Sequence, residues 1–211
     1  MSPTLIAPAA PHPDVRPLRR LRTAAVLAGA GLRPGTSRRA AVCGAARLLT
    51  ALGVRVRVHA PLVAWPRVRP GAPGVLVVAD SGSDLAHLAL VTAVPGTVAV
   101  DGARRGRHAR ALRLPTVPET TGAIAAALAA GTTVTVRPGP AGRHSPAGFA
   151  AAAAAGAAVC PVAVRSRPGA GVTVVELHLL PEVAGATGDP AALADGARRA
   201  LAAVPDGLSR R

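Results

Sequence analysis

The sequence contains no Lys, Asn, Gln or Tyr, and apart from its histidines its only aromatic residues are Trp65 and Phe149. Proteins that bind single-stranded nucleic acid or unpaired RNA bases stack those bases on aromatic side chains, so this scarcity argues against sites of that kind. Ala, Arg, Gly, Pro and Val dominate instead, and the missing residues mostly have AT-rich codons. The composition is therefore typical of a GC-rich bacterium and by itself says little about function.

Cysteine is also scarce, and Cys43 and Cys160 stand far apart in the sequence. Neither belongs to a metal-binding spacing, and two isolated thiols do not make a disulfide framework. We expect both thiols to be reduced and to pack as small apolar residues in a cytosolic protein. The sequence predicts no metal and no cofactor.

Acidic residues are few, because 10 Asp and Glu face 25 basic residues and leave a formal net charge of +15. Such a charge attracts anionic membranes, phosphorylated substrates and nucleic acid without choosing among them. The chain has no recognised DNA- or RNA-binding motif, so any binding to nucleic acid is expected to be non-specific.

Long apolar runs are missing as well. The run TAAVLAGAGL follows a basic stretch that starts at Arg16, but it is too short to span a bilayer and it ends in Arg-Pro-Gly rather than at a cleavage site. We therefore expect neither a signal peptide nor a membrane span, and the family resemblance described below implies a protein that is cytoplasmic and peripheral on the inner face of the cell membrane.

The length of 211 residues suits one α/β domain with an N-terminal appendage. Residues 1 to 15 are rich in Pro and Ala and are expected to be disordered. Residues 16 to 53 predict a helical hairpin, and residues 54 to 207 the α/β domain. The hairpin has two interpretations: a helix pair packed on the domain with solvated arginines, or an interfacial element whose arginines meet anionic lipid headgroups.

The stretch from residue 73 to residue 101 organises the domain. The run Val75 to Ala79 is continuously apolar and predicts a strand buried on both faces of a parallel sheet. Asp80, Ser81 and Ser83 follow as a polar turn that can cap a helix. Ligands of such sheets bind outside the carboxyl ends of the strands, so this turn is where a site is expected.

The other elements continue the alternation of strands and helices. VRVRVHA, residues 54 to 60, alternates strictly and predicts an edge strand with its polar side chains in solvent. Further strands are predicted over residues 97–100, 132–137 and 172–180, and helices over residues 104–112, 119–130 and 191–203. The fold class is therefore α/β, with a mostly parallel central sheet of six or seven strands covered by helices.

The segments LTALGVRVRVHAP, GVLVVADSGSDLAHLAL, TVTVRPG and GFAAAAAAGAAVCPVAVR, in this order, resemble the lysophospholipid acyltransferase family, the 1-acyl-glycerol-3-phosphate acyltransferase type. The resemblance covers about residues 40 to 180. It implies transfer of an acyl group from acyl-CoA or acyl carrier protein to a lysophospholipid or glycerol phosphate. In the family motif, VVANHxSxxD, the His deprotonates the acceptor hydroxyl and the Asp orients that His.

The resemblance places the catalytic His and Asp of the family on Ser81 and Ala86. Asp80 takes the Asn place and Ser83 matches the family Ser. A serine hydroxyl without assistance is no general base near neutral pH, so impaired or lost catalysis is expected. The candidate catalytic residues are those of this degenerate motif region, Ser81, Asp80, Ser83 and His87, although His87 is interpreted as a surface partner of Asp84.

The resemblance also implies where a substrate phosphate binds. The family turn Phe-Pro-Glu-Gly-Thr falls on the segment after residue 136, where the carboxylate is missing. Pro161 matches a Pro that lines the family site. The candidate phosphate-binding residues are Arg104, Arg105, Arg107, Arg137, Gly139 and Arg143. A solvated charged face is the alternative interpretation of the arginines at 104 to 110.

Three functions stay open from the sequence. The first is a divergent acyltransferase with impaired or lost catalysis, whose partners are acyl-CoA or acyl carrier protein and a lysophospholipid. The second is a non-catalytic lipid- or membrane-binding protein on the same scaffold, and the third is a non-specific nucleic-acid-binding basic protein.

Overall fold

A computed structural model describes residues 16–31, 38–61, 65–66, 71–94, 96–101, 106–139, 142–169, 171–183 and 188–205. The helices are α1 Arg16–Gly31, α2 Arg38–Ala51, α3 Asp84–Ala93, α4 Arg107–Ala111, α5 Thr121–Ala129, α6 Pro146–Ala155 and α7 Pro190–Ala202. The strands are β1 Val54–His59, β2 Val75–Ala79, β3 Thr97–Asp101, β4 Thr116–Pro118, β5 Thr133–Val136, β6 Ala158–Pro168 and β7 Thr173–Leu179. The N-terminal segment expected to be disordered, residues 1 to 15, lies outside these ranges.

The seven described strands form one sheet in the order β1-β7-β6-β2-β5-β3-β4. Every neighbouring pair is parallel except β6 and β7, which are antiparallel. The predicted α/β class with a mostly parallel sheet is confirmed. The sequence did not predict β4, a three-residue strand that comes just before the segment expected to be helical.

Strand β2 lies inside the sheet and is buried along its whole length, as its continuously apolar run predicts. Successive side chains of a strand point to opposite faces. Val75, Val77 and Ala79 accordingly join one core with apolar residues of α2 and α3. Leu76 and Val78 join a second core with residues of α5, α6 and α7. The two helical layers therefore meet the sheet on opposite faces.

Strand β1 is at the edge of the sheet, as its alternating pattern predicts. Val54 is buried, whereas Arg55, Arg57 and His59 are exposed. Because β1 pairs with β7 alone, one row of its backbone groups faces away from the sheet, and charged side chains on such a strand oppose pairing with another chain.

The two N-terminal helices differ in how deeply they pack. Helix α2 buries Ala45, Leu48 and Leu49 in the core that it shares with α3. Among residues 21–29 of α1, whose burial is described, those that pack against this core are only partly buried, and Leu21 is 70% exposed. No helix among the described residues is long and apolar enough to cross a membrane.

The two cysteines lie in different environments. Cys160 is buried in β6, as expected, and burial together with the negative charge of Glu182 raises the pKa of its thiol to about 12. Cys43 is exposed on α2. The expectation that both cysteines pack as small apolar residues is therefore wrong for Cys43.

Candidate functional site

The carboxyl ends of β2, β3, β4 and β5 meet at one edge of the sheet, because these strands are parallel. A cavity of about 600 Å³ opens at this edge. Its wall is built from the turn before α3, the segment around the start of α5 and the loop that joins β5 to α6. The lining includes Gly82, Ser83, Glu119, Ile124, Arg137, Gly139, Arg143 and His144.

The turn between β2 and α3 uses its serines for local structure. The Ser83 hydroxyl caps α3 by accepting a hydrogen bond of 3.1 Å from the backbone N–H of Ala86. The Ser81 hydroxyl donates to the Ser83 hydroxyl at 3.2 Å and accepts from the Ser83 N–H at 3.3 Å. Ser81, on which the sequence resemblance places the family His, is thus hydrogen-bonded within the turn.

Asp80 is the centre of a network of hydrogen bonds and an ion pair that involves three segments of the protein. One carboxylate oxygen accepts a hydrogen bond of 2.7 Å from the Val164 N–H, and the other pairs with the Arg165 guanidinium at 2.5 Å. Arg165 also donates to the Val204 carbonyl, just after α7, at 3.0 Å. The carboxylate therefore connects the end of β2 to β6, and Arg165 extends the connection to the residue Val204 after α7.

His144 is the imidazole that the fold brings to the end of β2. Its Nε2 lies 2.8 Å from the backbone carbonyl oxygen of Ala79. A carbonyl oxygen can only accept, so Nε2 carries the proton and Nδ1 of the neutral ring is an acceptor. Phe149 contacts the ring edge-on, with centroids 6.3 Å apart. His144 is not among the site residues predicted from the sequence, where its only signal is a histidine in the loop after the strand at residues 132 to 137.

His144 and its neighbours also border a second cavity, of about 830 Å³, between this loop and α7. Its lining comes from three parts of the chain: Asp80 follows β2, Phe149 lies on α6 and Leu201 lies on α7. The two cavities share the wall formed by Gly142, Arg143 and His144.

The first cavity has a cationic wall. Arg137 is half-buried and Arg143 is exposed. Burial lowers the pKa of Arg137 from its ordinary value, and the negative charge of Asp84 opposes that change. The loop folds back on itself, because the Gly139 N–H donates to the Arg143 carbonyl at 2.8 Å. Three of the predicted phosphate-binding residues, Arg137, Gly139 and Arg143, thus lie at one cavity.

Asp84 and His87 do not form the expected surface pair. His87 is only 4% exposed, since α3 is buried from Ala86 to Val91. Asp84 lies instead beside His108 of α4, with Oδ2 3.2 Å from Nδ1. A Cβ at position 106 would overlap the Asp84 carboxylate, so Gly106 allows α4 to approach α3. The expectation is wrong because α3 packs on more than one side.

The remaining predicted site residues lie elsewhere. Arg104 and Arg105 are outside the described residues. Arg107 is exposed on α4. Pro161 is buried in β6 opposite Val78, and its carbonyl accepts a hydrogen bond of 3.0 Å from the Leu180 N–H. Neither Arg107 nor Pro161 lines the two cavities described above.

Comparison with known proteins found a structural neighbour. No family model matches the chain, and no curated protein matches it. Among solved structures, it is similar to the crystal structure of the 1-acyl-sn-glycerophosphate (LPA) acyltransferase PlsC from Thermotoga maritima, with a TM-score of 0.53 and 16% sequence identity. The match covers 89% of this chain and 90% of that chain. The two chains share a fold. At this identity the likeness to PlsC concerns the fold alone.

Proposed function

We propose that the protein is a divergent member of the lysophospholipid acyltransferase family that binds a phosphorylated glycerol or lysolipid and whose acyl transfer is lost or strongly impaired. The fold shared with PlsC and the ordered sequence segments support the family assignment. The observation that supports a phosphorylated ligand is the cationic wall of the first cavity, which Arg137 and Arg143 form.

A phosphate monoester fits that wall chemically. Guanidinium groups present paired donors to phosphate oxygens, and Arg137 and Arg143 both line the cavity. Ser83, the N-cap of α3, also lines it, and a helix N-terminus attracts an anion through its free N–H groups. Glu119 on the same wall is negatively charged and disfavours a second anion there.

The loss of turnover follows from the residues that replace the family dyad. The Ser81 hydroxyl is hydrogen-bonded within the turn, and Ala86 is fully buried and has no hydrogen-bonding side chain. General-base assistance contributes on the order of a hundredfold to ten-thousandfold in rate. Without it, transfer from acyl-CoA or acyl carrier protein is expected to be undetectable.

One observation favours an alternative in which turnover is retained through a different base. His144 lines the first cavity, and its hydrogen bond to the Ala79 carbonyl leaves Nδ1 as an acceptor. In this alternative Nδ1 takes the proton of the acceptor hydroxyl, and the carbonyl holds the ring as the family Asp would.

Ligand binding is tested by titrating the purified chain with glycerol 3-phosphate and with a short-chain lysophosphatidate below its micelle concentration. Arg137→Ala and Arg143→Ala should each weaken binding about tenfold or more, because a hydrogen bond to a charged group contributes roughly 1.5 to 3 kcal/mol. Arg47→Ala is the matched control, since it removes the same charge from an exposed position on α2. Equal weakening in all three variants would mean that net charge alone binds the ligand.

Turnover is tested by radiolabelled acyl transfer with the wild type, Ser81→Ala and His144→Ala. We expect none of the three to transfer acyl groups. Wild-type transfer that survives in Ser81→Ala and disappears in His144→Ala would refute the loss of catalysis and assign the base to His144.

We also propose that the protein lies peripherally on the inner face of the cell membrane, where its positive charge is attracted to anionic lipids. A non-specific nucleic-acid-binding protein stays an alternative, and it predicts DNA binding that falls steeply with salt and shows no sequence preference. A sequence-selective footprint at physiological salt would contradict it.

A further inference from the structure

A second polar group lies on the sheet away from the cavities, where β1 pairs with β7. The register of these parallel strands sets Arg57 opposite Glu176 and His59 opposite His178. Residues two apart on a strand point to the same face, so Glu176, His178 and His59 lie on one face of the two strands. One ligand atom from each of the three can be chosen so that all lie within 4.8 Å of one another.

The two imidazoles lie face to face. The rings of His59 and His178 stack with centroids 4.5 Å apart and an angle of 7° between their planes. Glu176 is 3% exposed, whereas His59 is exposed, so the group is buried at one side and open to solvent at the other. An ion could therefore reach it without any opening of the fold.

Arginines surround the carboxylate, and Arg165 of β6 lies opposite Glu176 in the strand register. Nη1 of Arg57 lies 4.0 Å from Oε1 of Glu176, and Nη2 of Arg167 lies 3.8 Å from Oε2. Both distances are long for an ion pair, and the Arg57 side chain is 64% exposed. A cation that bound to Glu176 would compete with these guanidinium groups for the carboxylate.

We propose that His59, Glu176 and His178 bind a divalent transition-metal ion of the Zn²⁺ type. Two imidazole nitrogens and one carboxylate oxygen form a ligand set that Zn²⁺ takes, with a fourth position left for water or another ligand. Tetrahedral coordination at about 2.0 to 2.2 Å puts donor atoms roughly 3.3 to 3.6 Å apart, so the side chains must close by up to about 1.5 Å. Rotation of the side chains must supply this movement and must also turn the two rings out of their stack, because an imidazole nitrogen binds a metal in the plane of its ring and the nitrogens of parallel rings do not converge. The strand register already sets the two backbones side by side.

The competing interpretation is a cluster of ion pairs that binds no metal, in which the negative charge of Glu176 only compensates the positive charges of the arginines beside it. Arg57 distinguishes the two. If a metal competes with its guanidinium, Arg57→Ala tightens metal binding, whereas His59→Ala and His178→Ala weaken it. An ion cluster without a metal predicts neither effect.

The test measures Zn²⁺ binding to the full chain by competition with a fluorescent chelator, after prior treatment with a chelator to remove metal. All variants carry Cys43→Ser, because the exposed thiol can itself bind zinc. Loss of a residue that only supports a ligand weakens metal binding about 10- to 100-fold. Loss of a ligand should cost at least as much, so His59→Ala and His178→Ala should each weaken it by on the order of a hundredfold.

The charge control is Arg55→Ala, which removes the same charge from an exposed position two residues away on β1. Arg57→Ala should tighten binding severalfold more than Arg55→Ala does. Co²⁺ should give visible absorption bands of a four-coordinate site in the chain that retains both histidines. The absence of saturable binding, or equal Zn²⁺ affinity in the wild type and both histidine variants, would overturn the proposal.

Discussion

At the scale of single residues, Asp80 shows how a position that resembles part of a catalytic motif can serve the structure. Its carboxylate accepts from the Val164 N–H and pairs with Arg165, which in turn reaches the Val204 carbonyl. Both side chains of the ion pair are largely buried, at 22% and 16% exposure. Removing one partner of such a pair is costly, because the other charge is then left buried without compensation.

We expect Asp80→Ala to lower the free energy of unfolding by about 2 to 3 kcal/mol, because it leaves the Val164 N–H and the Arg165 guanidinium without this acceptor. The matched control is Asp195→Ala, which breaks an exposed pair with Arg198 at 2.7 Å and should cost less than about 1 kcal/mol. Urea denaturation of both variants measures the difference. Equal losses would show that the Asp80 pair is no stronger than a surface pair.

At the scale of elements, α6 lies close to the sheet because one of its residues lacks a side chain. A Cβ at Gly148 would lie 2.8 Å from Cγ1 of Val136 in β5. The rest of the helix is nearly all alanine, begins at Pro146 and ends at Gly156 in the left-handed region. Small side chains let α6 approach β5 closely, and this approach sets one side of the loop that carries Arg143 and His144.

We expect Gly148→Ala to destabilise the protein by about 1 to 2 kcal/mol, since overpacking outweighs the better helix propensity of alanine. Gly122→Ala in α5 is the matched control. A Cβ there has no heavy atom within 4 Å, so this variant should gain about 0.4 to 1 kcal/mol.

Thermal and urea unfolding compare the two variants. Val136→Ala combined with Gly148→Ala should show favourable coupling, because it removes the atom that the new Cβ meets. Additive losses in the double variant would argue against a steric cause.

At the scale of the whole molecule, the dominant property is the net charge of +15. Part of it lies on α1, which is less deeply packed than α2 and exposes Leu21 and Arg22. An apolar side chain beside a basic one is suited to a membrane interface, where the first enters the headgroup region and the second meets anionic lipid.

We expect the protein to bind anionic vesicles more strongly than neutral ones, with binding that falls as salt rises. Deletion of residues 1 to 35 should weaken this binding, because each basic residue near an anionic surface contributes about 1 kcal/mol. Vesicle sedimentation measures the bound fraction, and circular dichroism checks that the shortened chain is folded. Equal binding to neutral and anionic vesicles would contradict an electrostatic mode.

The sequence by itself determined the features that depend on neighbours along the chain. The apolar run at β2 and the alternation at β1 form the strands that they predict, and the polar turn after β2 caps a helix, because strand burial and helix capping are set within a few residues. The sequence left Asp80, Ser81 and Ser83 open as caps, and the structure selects Ser83. Strand β4 was not predicted, because three residues are too few to show an alternation of apolar and polar side chains.

Only the tertiary structure decided which distant residues meet. His144 reaches the Ala79 carbonyl across 65 positions, and Asp84 meets His108 rather than the nearer His87. The strand order sets His178 beside His59, and an alternating pattern does not reveal whether β7 runs parallel or antiparallel to its neighbours. The physical reason is that side-chain periodicity defines the faces of an element, whereas strand order and helix packing define what each face contacts.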